Sequence, residues 1–110
     1  MLKESKIFSR IRELIEAGDV KISAHGYDEL SSDDILVKDV LANVNDANIL
    51  EEYPEFPKGP CVLVLQKDTR GKPVHVVWGI PKGANSPAVL VTAYRPDPNK
   101  WSKDFRRREL

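Results

Sequence analysis

Two apolar runs separated by a polar turn constrain this chain more than any other feature. CVLVLQ at Cys61–Gln66 and VHVVWGI at Val74–Ile80 are apolar at nearly every position, with Asp68-Thr69-Arg70-Gly71-Lys72-Pro73 between them. Short apolar runs bounded by turn residues read as central strands covered on both faces. Their connection is shorter than the dozen residues a parallel crossover needs, so the pair is antiparallel. Ile49 to Tyr53 precedes a loop stiffened by Pro54, Pro57, Gly59 and Pro60, and Ala88 to Tyr94 follows a loop from Pro81 to Pro87. Both read as further strands, which predicts a four-stranded antiparallel meander.

The first half has helical spacing instead. Ile7, Phe8, Ile11, Leu14 and Ile15 recur on one face between Leu2 and Ala17, and Gly18 stands where a left-handed cap would end the helix. Val20-Lys21-Ile22 is a short extended link. Ser23 is placed to cap a short helix over Ala24–Leu30. Ser31 with Asp34 reads as a capping box opening a helix from about Asp33 to Val44. The expectation is an α+β fold: two or three N-terminal helices on one sheet face, and a short helical C-terminal tail near the other.

A chain of 110 residues, 41% apolar and 31% charged, suits a single domain spanning residues 1–110 that buries a core without staples. Cys61 alone cannot form an internal disulfide and reads as a buried reduced thiol. No stretch approaches the ~18 apolar residues of a membrane span, and the N-terminus lacks a signal-peptide core. A cytoplasmic location without membrane contact is the expectation. Net charge is zero, but its distribution is uneven. Nine acidic residues and one lysine lie between Asp28 and Glu55, whereas six basic and two acidic residues lie between Arg95 and Arg108. The basic end can orient a polyanion, or the two regions can attract each other.

Chemistry-bearing residues are few. His75 lies within a strand, as a core histidine bonded to backbone or Gln66, or as a site residue. Pairing Gln66 with His75 would surround the ring with Val62, Val64 and Val77. Simple closure of the Pro81–Pro87 loop sends Tyr94 to the opposite face from His75, and a one-residue bulge reverses that. His25 is an acid/base candidate with Asp28 three residues on, or a helix-packing histidine that joins two segments. Arg95, at the strand end before Pro96, has a guanidinium suited to phosphate, and Tyr94 carries a phenol. Trp101 and Phe105, four apart on an expected helical turn, precede Arg106, Arg107 and Arg108. Aromatics among cations suit single-stranded nucleic acid. The other reading is that both rings pin the tail to the sheet while the arginines pair with the acidic middle. Two distant histidines and one cysteine have no metal-ligand spacing, and no nucleotide-binding glycine loop or nucleophile elbow occurs. No metal or cofactor is expected.

The segments ISAH (Ile22–His25), DILVKDVL (Asp34–Leu41), EEYP (Glu51–Pro54), GPCVLVLQ (Gly59–Gln66), PVHVVWGI (Pro73–Ile80) and LVTAYRPDPNKW (Leu90–Trp101) resemble a bacterial family, domain of unknown function 4258. The likeness covers roughly Val20 to Arg108. That family is similar to the RelE-like and barnase-like small RNase toxins, which place helices before a curved antiparallel sheet. Where some members carry an Arg-Met pair after the histidine motif, this chain has Glu29 and Leu30, which removes a cation. The resemblance implies metal-independent RNA cleavage, with His25, His75 and Tyr94 carrying protons and Arg95 stabilising charge. RNA and a cognate antitoxin are the implied partners. A non-catalytic module that binds protein or RNA, within a toxin–antitoxin pair, is the alternative.

Overall fold

The computed structural model describes residues 4–108. Helix α1 (Lys6–Glu16) is capped by Ser5, whose Oγ accepts the Phe8 N–H at 3.1 Å. It buries Phe8, Ile11 and Leu14, the face its spacing predicts, and Gly18 leaves it at φ 78°. Strand β1 (Val20–Ile22) follows, then α2 (Ala24–Ser32), α3 (Val37–Ala42) and a short 3₁₀ turn at Val44–Asp46. Strands β2 (Asn48–Tyr53), β3 (Cys61–Lys67), β4 (Pro73–Gly79) and β5 (Ala88–Tyr94) complete the order. The expected opening residues of the first helix before Glu4 lie outside the described residues.

The sheet has five strands in the order β1-β5-β4-β3-β2, and it is mixed. Strands β2 to β5 form the expected antiparallel meander, but Val20–Ile22 is a fifth strand running parallel to β5, with Val20 opposite Ala88. Three residues are too few to display a period of two, and the partner strand lies far along the chain. Everything from α2 to β4 forms the long connection that a parallel pair requires.

Two further expectations are corrected. Ser31 and Asp34 do not open a helix; they close α2. Asp34 takes φ 57°, its N–H donates to Ser31 O at 3.3 Å, and the Ile35 N–H donates to Leu30 O at 2.8 Å. That is a Schellman closure, with Leu30 and Ile35 both in the core. Polar residues that cap helix starts also accept left-handed backbone, so the same letters serve either end. The C-terminal tail is likewise not helical. It is a turn closed by a bridge between Trp101 and Arg108, with Phe105 at φ 61°. Ser102 Oγ donates to Asp104 at 2.6 Å and the Ser102 N–H donates to Arg107 O at 2.8 Å, local bonds that compete with a helix.

Alternation divides the sheet into two faces. Val62, Val64, Val74, Val76, Trp78, Ala88, Leu90 and Ala93 meet Phe8, Ile11, Leu30 and Val40 in the main core. Gln66 lies on this side, opposite Val74, and Leu65 rather than Gln66 pairs with His75. The reason is loop length: Pro73 already belongs to β4 and pairs with Lys67, which leaves five residues in the turn instead of six. Gln66 is satisfied by donating to Val40 O at 2.8 Å and accepting from Trp78 Nε1 at 3.1 Å, so α3 is tied to the sheet through a buried amide. On the other face Leu50, Leu63, Leu65 and Trp101, with Val77 and Phe105, form a second, smaller core under the tail.

Candidate functional site

Beside that smaller core the sheet stays open. A cleft of about 650 Å³ lies there, with Cys61, Leu63, Val77, Gly79 and Val89 among its floor residues. Its walls carry His25, Glu51, Tyr53, Tyr94 and Arg108.

Two β-bulges decide which side chains reach it. In β5 the register shifts between Val77/Thr92 and Trp78/Leu90, so Val91 is the extra residue and His75 pairs with Tyr94. This is the bulged alternative, and it brings the phenol and the imidazole onto one face. Ser23 Oγ donates to Val91 O at 2.8 Å while accepting the Gly26 N–H at 2.9 Å. The residue that caps α2 therefore also fastens the helix start to the bulge and sets His25 at the cleft wall. In β2 the register shifts between Ile49/Val64 and Glu51/Leu63, with Leu50 as the extra residue. That shift turns Glu51 and Tyr53 toward the cleft rather than toward the helices.

His75 is fully buried. Its Nε2 lies 2.8 Å from Phe105 O and its Nδ1 3.4 Å from Tyr94 Oη, while Trp101 meets the ring edge-on at 4.3 Å between centroids. A carbonyl can only accept, so Nε2 carries the hydrogen and Nδ1 accepts from the phenol. Burial holds this imidazole below its ordinary pKa; the Phe105 carbonyl opposes that and Arg108 reinforces it. Burial pushes the Tyr94 phenol up, which keeps it protonated. The pair is a neutral phenol backed by a neutral imidazole. Only Tyr94 of the two lines the cleft.

His25 is exposed and faces Glu29 at 3.8 Å, one helical turn on, rather than Asp28. Arg95, expected to stabilise charge, is turned away. It donates to Asp68 at 2.8 Å and to Pro73 O at 3.2 Å, while its backbone N–H donates to Asp33 at 2.7 Å. Burial would raise the Asp68 pKa, but the Lys72 N–H, Arg95 and the Arg70 N–H outweigh it and hold the carboxyl low. Arg95 thus clamps the β3–β4 turn.

Of the tail residues expected to meet nucleic acid, Trp101 is buried in the smaller core and presents no free face to a base. Arg106 lines a separate depression with Asp46, Asp68 and Asp104, and Arg107 is exposed. Only Arg108 lines the main cleft. Its guanidinium donates to both oxygens of Glu51, Nε to Oε2 at 2.9 Å and Nη2 to Oε1 at 3.0 Å, and rests on the Trp101 ring at 4.8 Å. The Tyr53 hydroxyl donates to the same Glu51 Oε1. Arg108 is the main reason the Glu51 carboxyl lies below its ordinary pKa. Glu51 and Tyr53 were not singled out as site residues by the sequence reading, although a Glu-x-Tyr spacing in a strand puts both on one face. Among the described residues no three histidine, cysteine or acidic side chains gather where a metal could sit, and no helix is long and apolar enough to cross a membrane.

Fold and site together define an α+β domain with helices on one sheet face and, on the other, a polar-walled cleft closed at one end by the C-terminal strap. The family model described as domain of unknown function (DUF4258) matches residues 22–95, and the chain belongs to that family. No curated protein and no solved structure matches the chain.

Proposed function

We propose that the protein is a cytoplasmic, metal-independent endoribonuclease of the RelE-like toxin type, with the open-face cleft as its active site. The observation that supports this most is the shared wall: a histidine, a histidine-backed phenol and an arginine border one apolar-floored hollow. In this reading a ribose 2′-hydroxyl loses its proton to Tyr94 Oη as the phenol proton passes to Nδ1 of His75. The 2′-oxygen attacks the adjacent phosphorus, and His25 as general acid protonates the departing 5′-oxygen. The products are a 2′,3′-cyclic phosphate and a free 5′-hydroxyl. The Phe105 carbonyl supports the transient His75 cation, and Arg108 takes the stabilising role expected of Arg95. His75 acts through Tyr94, which fits its burial.

Purified protein in EDTA should cleave single-stranded RNA and leave those two ends. His25→Ala, Tyr94→Phe and Arg108→Ala should each lower the rate by about 100-fold or more with the fold retained. An intact panel of diverse RNAs between about pH 5 and pH 9 would defeat the proposal.

The engagement of Arg108 by Glu51 favours a second reading, a non-catalytic module holding RNA or an antitoxin-like protein in the same cleft. Salt-sensitive RNA binding without turnover, or a defined protein partner retained when His25 and His75 are replaced, distinguishes it.

A further inference from the structure

The Glu51–Arg108 pair stands at the mouth of the cleft, and its geometry is that of an occupied anion site. Three donors converge on one carboxylate: Nε and Nη2 of Arg108 at 2.9 and 3.0 Å, and the Tyr53 hydroxyl. The parallel fork that arginine presents to a carboxylate also fits two oxygens of a phosphate. Arg108 is held from behind. The guanidinium lies on Trp101, itself buried in the small core, and the Trp101–Arg108 backbone bridge fixes the stem. The acceptor stands on a sheet edge, as Tyr53 does. Glu51 follows the Leu50 bulge on β2, an edge strand with a neighbour on one side only. Rotation of one side chain toward water would leave the fork and the hydroxyl facing the hollow, with Tyr94 and His25 on the same cleft wall.

We propose that Arg108 and Tyr53 form a cradle for one phosphate of a single-stranded RNA, and that Glu51 fills it until that phosphate displaces the carboxylate. The proposal rests on the reading of this cleft as an RNA site, and it adds regulation: the free protein carries its own competitor. Glu51 then limits affinity instead of contributing to it, so its removal strengthens binding. A pair that merely anchors the tail predicts the reverse.

The test uses a fluorescein-labelled RNA of about ten nucleotides with 2′-O-methyl riboses, which cannot be cut by 2′-attack. Glu51→Gln keeps the side chain's shape and should tighten probe binding about tenfold, the effect of one charge-assisted interaction no longer contested. Adding Arg108→Gln to Glu51→Gln should abolish the gain. Unchanged or weaker binding by a folded Glu51→Gln protein overturns the cradle. If that variant melts below the assay temperature, Tyr53→Phe carries the test: a loss of about threefold supports the cradle and unchanged affinity overturns it. Because the probe cannot be cleaved, a wild-type protein that leaves ordinary RNA intact sinks the nuclease and not the cradle. A wild-type protein that cuts RNA, with Glu51→Gln no tighter on the probe, does the opposite.

Discussion

His75 is a titratable ring packed as a core residue. Its ring is sealed between Tyr94, Trp101 and the Phe105 carbonyl, and that burial holds its pKa under the ordinary 6.5. The unfolded chain takes up a proton near pH 6.5 that the folded chain refuses, so stability present above that pH is lost as pH falls from there toward the folded pKa. Urea unfolding at stepped pH should show this slope, amounting to at most one proton, and His75→Gln should remove it. Glu51, held low chiefly by Arg108, and Asp68 add a separate loss that begins only near pH 4. A variant whose stability still falls between about pH 6.5 and 5 as the wild type does would show that another group supplies the slope. The sequence identified His75 as important but left its role open, because a lone histidine in an apolar strand looks the same whether it is packed or active. Arg95 shows the opposite outcome: a guanidinium at a strand end invites a phosphate role, and the Asp68 turn claims it.

Between elements, the contact that positions His25 is the seat of α2 on β5. A Cβ at Gly26 would lie 2.9 Å from Leu90 O and 3.0 Å from Leu90 Cδ2, so the helix approaches the strand as closely as a missing side chain permits. Helix propensity alone says that Gly26→Ala stabilises the protein by about 1 kcal/mol. Packing says that α2 must lift from β5 and loosen the Ser23 tie to Val91. The expected outcome is a lower midpoint in thermal unfolding, together with weaker cleft function; a raised midpoint would show that the seat has slack. The bulges at Leu50 and Val91 belong to this scale as well. Each is one residue inserted into an otherwise ordinary run, which leaves local apolar alternation almost unchanged. Strand positions were therefore readable to within a residue or two, while the faces beyond each bulge were not. Glu51, Tyr53 and Tyr94 all lie beyond a bulge.

Across the whole molecule, the C-terminal strap makes a closed end out of an open sheet. Trp101 supplies the buried ring, Phe105 the carbonyl that orients His75, and Arg108 the pair with Glu51 from the acidic half of the chain. Trp101→Ala should destabilise the fold by roughly 3 kcal/mol and free the strap, seen as a large shift in urea midpoint and as new protease cleavage after Lys100 or Lys103. A midpoint within error of wild type would mean that the strap is not part of the cooperative unit. The attraction of the basic end to the acidic middle was one of two readings of the charge pattern, and Arg108 realises it at one point. By itself the sequence determined what depends on neighbours along the chain: the period of each element, the turns that separate strands, the antiparallel meander, and membership of an α+β class. Tertiary structure alone decided what depends on distant partners. These are the parallel pairing of β1, the two bulges, the burial of His75 and the engagement of Arg95 and Arg108. The reason is physical: local backbone preference and hydrophobic period act over a few residues, whereas register and ion pairing are settled only when remote surfaces compete for the same contact.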